Sequence, residues 1–252
     1  MRLLIVLLVM ALLSSCVTER VGDEAIDENK KTPSEQAQIR AQLAANYLQR
    51  DELKVALDEV KEALELDPSN ASANYIMALI QIRFKDKKKV DYYFRKAIDG
   101  PDPLPSAQQD YANYLCREGD YQRAQKEFDA LHRNPIYPNQ ELVYLNEAEC
   151  YMRNQRNKEA EQALRNALKI NPRLVPALYH MTVLSFQSGN MLQTRAWYQR
   201  YLELGQDNAR ILYIAYQAEK SLGDKNAAAS MAVRLKGKFP QSEQAQLLRG
   251  SR

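Results

Sequence analysis

The sequence predicts an all-α fold, a right-handed solenoid of about six helix–turn–helix repeats. Three observations carry this reading. Only 8 glycines and 10 prolines occur in 252 residues, too few for a turn-rich all-β chain. Ala56, Val90, Ala124, Ala160, Thr194 and Ala228 follow one another at steps of 34, 34, 36, 34 and 34 residues. Pro68, Pro172 and Pro240 recur in the same frame, and so do Gly119, Gly189 and Gly223. A fixed period of this size marks stacked supersecondary units, each burying its apolar face against its neighbours.

Composition narrows the functions available. Apolar residues make up 45% and charged residues 27% of the chain, as in ordinary globular proteins. The 35 Lys and Arg against 32 Asp and Glu leave a net charge of only +3. That balance argues against a nucleic-acid partner, which calls for a dense basic excess. Two histidines and three cysteines are too few for a multi-ligand zinc or iron–sulfur site, so neither a metal nor a cofactor is expected.

The chain opens with Met1-Arg2 and then an unbroken apolar run from Leu3 to Leu13. Such a run falls short of the roughly 20 residues that span a bilayer and matches a secretory signal peptide. It ends in Leu13-Ser14-Ser15-Cys16, which resembles the bacterial lipobox. That resemblance implies a signal peptide over 1–15, cleavage before Cys16 and lipid attachment at Cys16. Val17 rather than Asp follows, which by the same resemblance directs the lipoprotein to the outer membrane. Several acyl chains on one residue anchor stably, at about 0.8 kcal/mol per buried CH₂.

Residues 16–32 then read as the lipidated cysteine and a flexible tether. The mixed charges Glu19, Arg20, Asp23, Glu24, Asp27, Glu28, Lys30 and Lys31 show no helical or strand period and bury no core. Random-coil scaling gives the tether a span of roughly 20–25 Å. Thr32-Pro33-Ser34-Glu35 combines an N-cap, a proline at the first helical position and a glutamate at the third, so the first helix is expected to start there.

From residue 33 to 252 the chain divides into repeats over about 37–70, 71–104, 105–138, 141–174, 175–208 and 209–242, with a two-residue insertion near Asn139-Gln140. Two helices about 8–10 Å apart need small side chains at their contact. Ala44, Ala56 and Ala63 supply them in the first unit, and Ala148, Ala160 and Ala167 in the fourth. Gly119, Gly189 and Gly223 mark turns within repeats, where a left-handed backbone suits glycine. The three prolines mark turns between repeats, where a helix must stop. The period and this placement resemble the tetratricopeptide repeat. Units two, five and six depart from it, with Val90 for Ala, Thr194 and Tyr201 at small positions, and Tyr216 where a small residue is usual.

Stacked helix pairs form a superhelix with a concave face. In the tetratricopeptide family the first helix of each unit lines that face. The positions this places inward include Leu48, Tyr75, Leu79, Ile82, Asn113, Leu145, Met152, Tyr179 and Tyr213. The stripe is apolar and aromatic, a composition that favours a protein partner. The same residues could instead serve packing between repeats. The Lys85, Lys87, Lys88 and Lys89 run reads as a solvated turn or a contact with anionic groups. Trp197, Tyr198 and Tyr201 read as core rather than a ligand cage.

Cys116 and Cys150 fall on the first helices of adjacent repeats. In an oxidising exported compartment they are expected to form a structural disulfide, the alternative being two buried free thiols. No G-x-S-x-G, P-loop, G-x-G-x-x-G or H-E-x-x-H pattern is present, and His132 and His180 lie in different units, so no enzyme is expected.

The stretch Asp110-Tyr111-Ala112-Asn113-Tyr114-Leu115-Cys116-Arg117-Glu118-Gly119-Asp120-Tyr121-Gln122-Arg123-Ala124 resembles the third repeat of the PilF/PilW family of type IV pilus biogenesis lipoproteins. Tyr137-Pro138 followed by Tyr144-Leu145-Asn146-Glu147-Ala148-Glu149-Cys150 resembles the same family. The order of lipobox, spacer and six repeats agrees along the chain. Ala112 and Glu149 depart from it, standing where glycine and an apolar residue are frequent. The resemblance implies a non-enzymatic scaffold, lipid-anchored at the outer membrane and facing the periplasm. Its implied partner is the pilus secretin or a pilus-assembly subcomplex, and its role is to support secretin multimers or pilus stability. Two other readings share the fold: a lipoprotein of the outer-membrane β-barrel assembly machinery, and a periplasmic adaptor that regulates peptidoglycan enzymes.

Overall fold

Helix α1 (Pro33–Gln49) starts at the expected cap. The Glu35 N–H donates to the Thr32 hydroxyl at 3.2 Å, and the Thr32 N–H donates to the Glu35 carboxylate at 2.7 Å. These bonds satisfy donors that a helix start otherwise leaves open. The structure is a computed structural model and describes residues 31–134 and 137–250. The apolar leader, Cys16 and the tether as far as residue 30 lie outside the described residues.

Twelve further helices follow among the described residues: α2 (Leu53–Leu66), α3 (Ala71–Phe84), α4 (Lys87–Asp99), α5 (Pro105–Arg117), α6 (Tyr121–His132), α7 (Gln140–Arg153), α8 (Asn157–Ile170), α9 (Val175–Gln187), α10 (Met191–Glu203), α11 (Ala209–Ser221), α12 (Lys225–Lys238) and α13 (Glu243–Gly250). No strand occurs among them. They form six helix hairpins, α1/α2 through α11/α12, and a last short helix.

The contact residues explain the pairing. Ala56, Val90, Ala124, Ala160 and Thr194 are fully or almost fully buried, and Ala228 is buried as well. Thr194 fits a small-residue position because its hydroxyl donates to the Asn190 carbonyl at 2.8 Å, which satisfies the buried oxygen. Tyr201 is likewise buried at the third contact position of its unit. Gly119, Gly189 and Gly223 take φ of 82°, 76° and 81° at their turns. In the other three hairpins Asp51, Lys85 and Gln155 occupy the same left-handed conformation, with φ of 62°, 58° and 57°. The turn thus demands a backbone conformation rather than a residue type.

The stack curves for a geometric reason. The first helices α1 and α3, α5 and α7, and α9 and α11 pack directly on one another. Each second helix instead packs on the first helix of the next repeat. First helices therefore crowd the inner side, and second helices spread on the outer side. The core is a ribbon of buried side chains that passes from repeat to repeat.

Helix α13 is not part of any expected repeat. Ala245 and Leu248 join Leu212 and Leu235 in a buried cluster, with Tyr213 and Tyr216 packed against it. Tyr216 occurs where a small residue is usual because the last repeat has α13 beside it rather than another hairpin. The short helix closes the exposed end of the stack, as terminal elements of solenoids do.

Candidate partner-binding face

The first helices bring the sequence-picked stripe to one side of the molecule, but at varied depth. Leu48, Tyr75, Leu79, Ile82, Asn113, Met152, Tyr179 and Tyr213 are half-buried. Leu145 is only 7% exposed and packs in the core with Ala148 and Leu164, so it offers little to a partner. The other eight are each partly covered and partly exposed.

Polar bonds set the orientation of several. The Tyr75 hydroxyl donates to Asp110 of the next repeat at 2.5 Å. Burial and that carboxylate push the Tyr75 phenol well above its ordinary pKa. Tyr179 accepts from Arg210 at 3.4 Å, and Tyr213 accepts from Gln217 at 2.7 Å. Glu149 and His180 are 3.2 Å apart across the junction of repeats four and five. The bond from His180 holds the Glu149 carboxyl below its usual range.

Cys116 on α5 and Cys150 on α7 are brought together, with sulfurs joined and Cα atoms 5.7 Å apart, inside the range a disulfide requires. Both are buried, beneath Asn113 and Asn146. His132 and His180 do not meet. His132 stacks on Tyr144 at 4.1 Å and lies 3.0 Å from Glu147. Trp197 is half-buried with Arg165 and Arg200 over its ring, at 5.5 and 4.9 Å from the ring centroid, while Tyr198 and Tyr201 are core. The lysine run is partly neutralised, since Lys87 pairs with Glu118 at 2.6 Å and Lys89 with Asp86 at 3.3 Å. Among the described residues, no group of three or more His, Cys, Asp or Glu is placed to hold a metal ion.

Two polar clusters were not expected from the sequence, the first part-exposed and the second buried. Asp91 accepts from Tyr111 and Arg123, which joins repeats two and three. Glu219, 1% exposed, accepts from Arg195 and Tyr198, which joins repeats five and six. A signal for the second exists: Glu219 continues the buried Ile211 and Ala215 stripe of α11 at helical spacing. A carboxylate in a core stripe needs a cation, and Arg195 supplies it.

Comparison with known proteins places these features in a family context. A family model of the tetratricopeptide repeat matches residues 141–174, the fourth repeat of the stack. The type IV pilus assembly protein PilF of Pseudomonas aeruginosa is 25% identical over 230 residues, which covers 91% of this chain and 90% of that protein. The crystal structure of PilW, a widely conserved type IV pilus biogenesis factor, is 25% identical and superposes with a TM-score of 0.69 over 84% of this chain and 97% of that one. A structure of Pseudomonas aeruginosa PilF superposes with a TM-score of 0.72 at 24% identity, over 87% of this chain and 99% of that one. The helix pairs, their stacking and these likenesses agree: the chain has the tetratricopeptide-repeat solenoid fold and is homologous along nearly its whole length to the pilus assembly protein PilF.

Proposed function

We propose that this chain is a non-enzymatic scaffold for type IV pilus biogenesis in the cell envelope. The observation that carries the reading is the likeness to PilF, which runs through all six repeats rather than through a single motif. The inner face holds a segment of a protein partner, the pilus secretin or a pilus-assembly subcomplex. The half-buried residues Leu48, Tyr75, Leu79, Ile82, Asn113, Met152, Tyr179 and Tyr213 contribute their open flanks, with Leu145 supporting them from the core. Lipid on Cys16 fixes the location at the outer membrane, facing the periplasm, and the bridge between Cys116 and Cys150 stiffens the middle of the stack.

The level of detergent-resistant secretin multimer, with and without the gene, tests this. Loss of multimer with secretin monomer and β-barrel proteins unchanged is the expected result. Unchanged multimers together with normal pilus number and stability would overturn the reading. A general loss of barrel proteins would favour the β-barrel assembly role, and altered wall composition would favour the peptidoglycan-enzyme adaptor. Cys16→Ser is expected to release the protein from the outer-membrane fraction. A variant that still fractionates there with full function would refute the anchor.

A further inference from the structure

Arg83, Arg117 and Arg153 stand in the last turns of α3, α5 and α7. Their spacings of 34 and 36 residues are those of the repeat itself, insertion included. They therefore occupy equivalent places on three neighbouring first helices, in a row along the inner edge. All three are exposed. Arg83 pairs with Asp51 at 2.8 Å, while Arg117 and Arg153 make no ion pair within 4.0 Å among the described residues, the Arg153 charge acting on Glu149 from farther away.

Between Arg117 and Arg153 lies a cleft of about 120 Å³. Asn113 on α5 and Asn146 on α7 line it, half-buried, and their carboxamides bond to no other described side chain. The joined cysteines also line it and hold the two helices at a fixed separation. Glu149 is the one carboxylate in the lining, and it is bonded to His180. Two guanidinium groups without a close carboxylate and two free carboxamides thus line a space of about four water volumes at ~30 Å³ each, and the Arg153 charge also acts on Glu149 there. That space suits a carboxylate group with its methylenes.

We propose that this cleft and the arginine row bind the side-chain carboxylates of an acidic, extended segment of a protein partner, laid across the inner face of repeats two to four. Guanidinium presents a planar fork of donors that matches a carboxylate. A row over three repeats takes several carboxylates in succession, which fits acidic side chains rather than a single chain terminus. The geometry also favours a protein over a lipid surface. Helix α1 starts beside Asp67, where Ser34 donates to it at 3.0 Å. That edge and the arginine row lie at opposite ends of the helices, about 20 Å apart for a helix of fourteen residues. The chain enters the solenoid on the side away from the row. The inference rests on the reading that the inner face holds a protein partner, and it names the chemistry of that partner.

Fluorescence anisotropy of the purified full chain tests it. The probe is a labelled ten-residue peptide of alternating glutamate and glycine with an amidated C-terminus. The peptide is expected to bind, and binding is expected to weaken as salt rises. Arg117→Gln with Arg153→Gln is expected to weaken it by about a hundredfold, roughly tenfold for each charged hydrogen-bonding group. Lys225→Gln with Lys236→Gln, on α12, is expected to leave it unchanged. Circular dichroism melting of each variant separates lost binding from lost fold, and Arg117→Lys with Arg153→Lys, which retains charge without the fork, is expected to recover part of the affinity. Equal binding by the double glutamine variant, or equal binding of the lysine–glycine counterpart, overturns the proposal. So does binding to vesicles containing phosphatidylglycerol with no binding to the peptide. If the peptide is ignored while the gene still supports secretin multimers, the carboxylate chemistry fails and the scaffold reading stands. If the peptide binds and the gene proves dispensable for pili, the site stands and the scaffold reading fails.

Discussion

The junction between repeats three and four and the junction between repeats five and six are the same contact built from different chemistry. In each, two first helices stack and a second helix lies against the next hairpin. The earlier junction is crossed by the bridge from Cys116 to Cys150, and by Glu147, which accepts from Gln125 at 2.8 Å and lies 3.0 Å from His132. The later junction has no cysteine. It is crossed by Glu219, sunk between Arg195 and Tyr198. The difference teaches that a solenoid specifies the geometry of a junction and leaves open how it is fastened. Each fastening then answers to its own variable: redox state and pH in the middle of the stack, charge removal at its end.

The largest effect expected of any single change is loss of the bridge. A cross-link closing a loop with a sequence separation of 34 residues stabilises by about 3–4 kcal/mol in the chain-entropy model. Urea unfolding with and without a thiol reductant should differ by that amount in the natural chain and not at all in Cys116→Ala. Equal midpoints in the natural chain would mean that the bond does not form. Glu219→Ala should cost roughly 2–3 kcal/mol. The figure lies below the roughly 3–5 kcal/mol usual for a broken buried pair because Arg195 is 30% exposed and partly screened by water. Since each repeat touches only its neighbours, the damage should stay local. Hydrogen exchange should quicken in α9 to α13 and remain unchanged in α1 to α4. Uniform quickening would contradict the local-coupling picture.

The contrast also separates what was legible in the sequence from what was not. Small residues recurring every 34 positions were legible because close helix approach leaves few substitutes, and Ala56, Ala124 and Ala160 are fully buried as that argument requires. The turns at Asp51, Lys85 and Gln155 were not. A left-handed residue is a backbone state, and glycine is only its most frequent signature. Helix α13 was hidden for a related reason, since a terminal element follows the needs of one exposed end rather than the period. The inner stripe was legible as a face but not in depth. Tyr75 and Tyr179 stand on first helices as expected, yet each is half-buried because neighbouring repeats close on its flank. The arginine row shared the period in plain view, but periodicity there lies in exposed charges, which carry no packing signal. Glu219 had a helical-stripe signal, while its partner Arg195 lies one repeat away and cannot be paired with it by spacing alone.

Packing and turn variants sharpen the comparison at a smaller scale. Ala160→Leu should overpack the α7/α8 hairpin and cost about 1–3 kcal/mol, read as a lower melting temperature. An unchanged melting temperature would count against the contact register. Gly189→Ala should cost about 1–2 kcal/mol through backbone strain alone, because a Cβ there meets nothing within 4 Å. At Gln155 the same strain is already present, so replacing that residue by another non-glycine such as lysine should change stability by less than about 0.5 kcal/mol. A large loss at Gln155 would mean that its side chain, and not its backbone, matters.

The smallest effect is the pH response of the middle junction. Burial pushes the His132 imidazole down, but the hydrogen bond and charge of Glu147 outweigh it, so its pKa is raised above the ordinary value of 6.5. Burial likewise pushes Glu147 up, and its bonds from His132, Gln125 and Tyr151 outweigh that, so its pKa is lowered below 4.5. The signs follow from linkage. The histidine contribution is complete below its unfolded pKa and fades as pH rises through the higher folded value. The glutamate contribution is complete above its unfolded pKa and fades as pH falls through the lower folded value. The pair therefore stabilises most between the unfolded values of the two groups, and its contribution declines as pH rises above about 6.5 and through the raised folded value of His132. Melting temperatures across pH 5 to 8.5 should fall at the alkaline end more steeply in the natural chain than in His132→Gln, whose side chain keeps the hydrogen bond without the charge. No such difference is expected between Glu219→Ala and the natural chain over this range, since Arg195 stays protonated throughout. Parallel pH curves for the natural chain and His132→Gln would show that the charge on His132 contributes nothing to the junction and that the bridge alone distinguishes it.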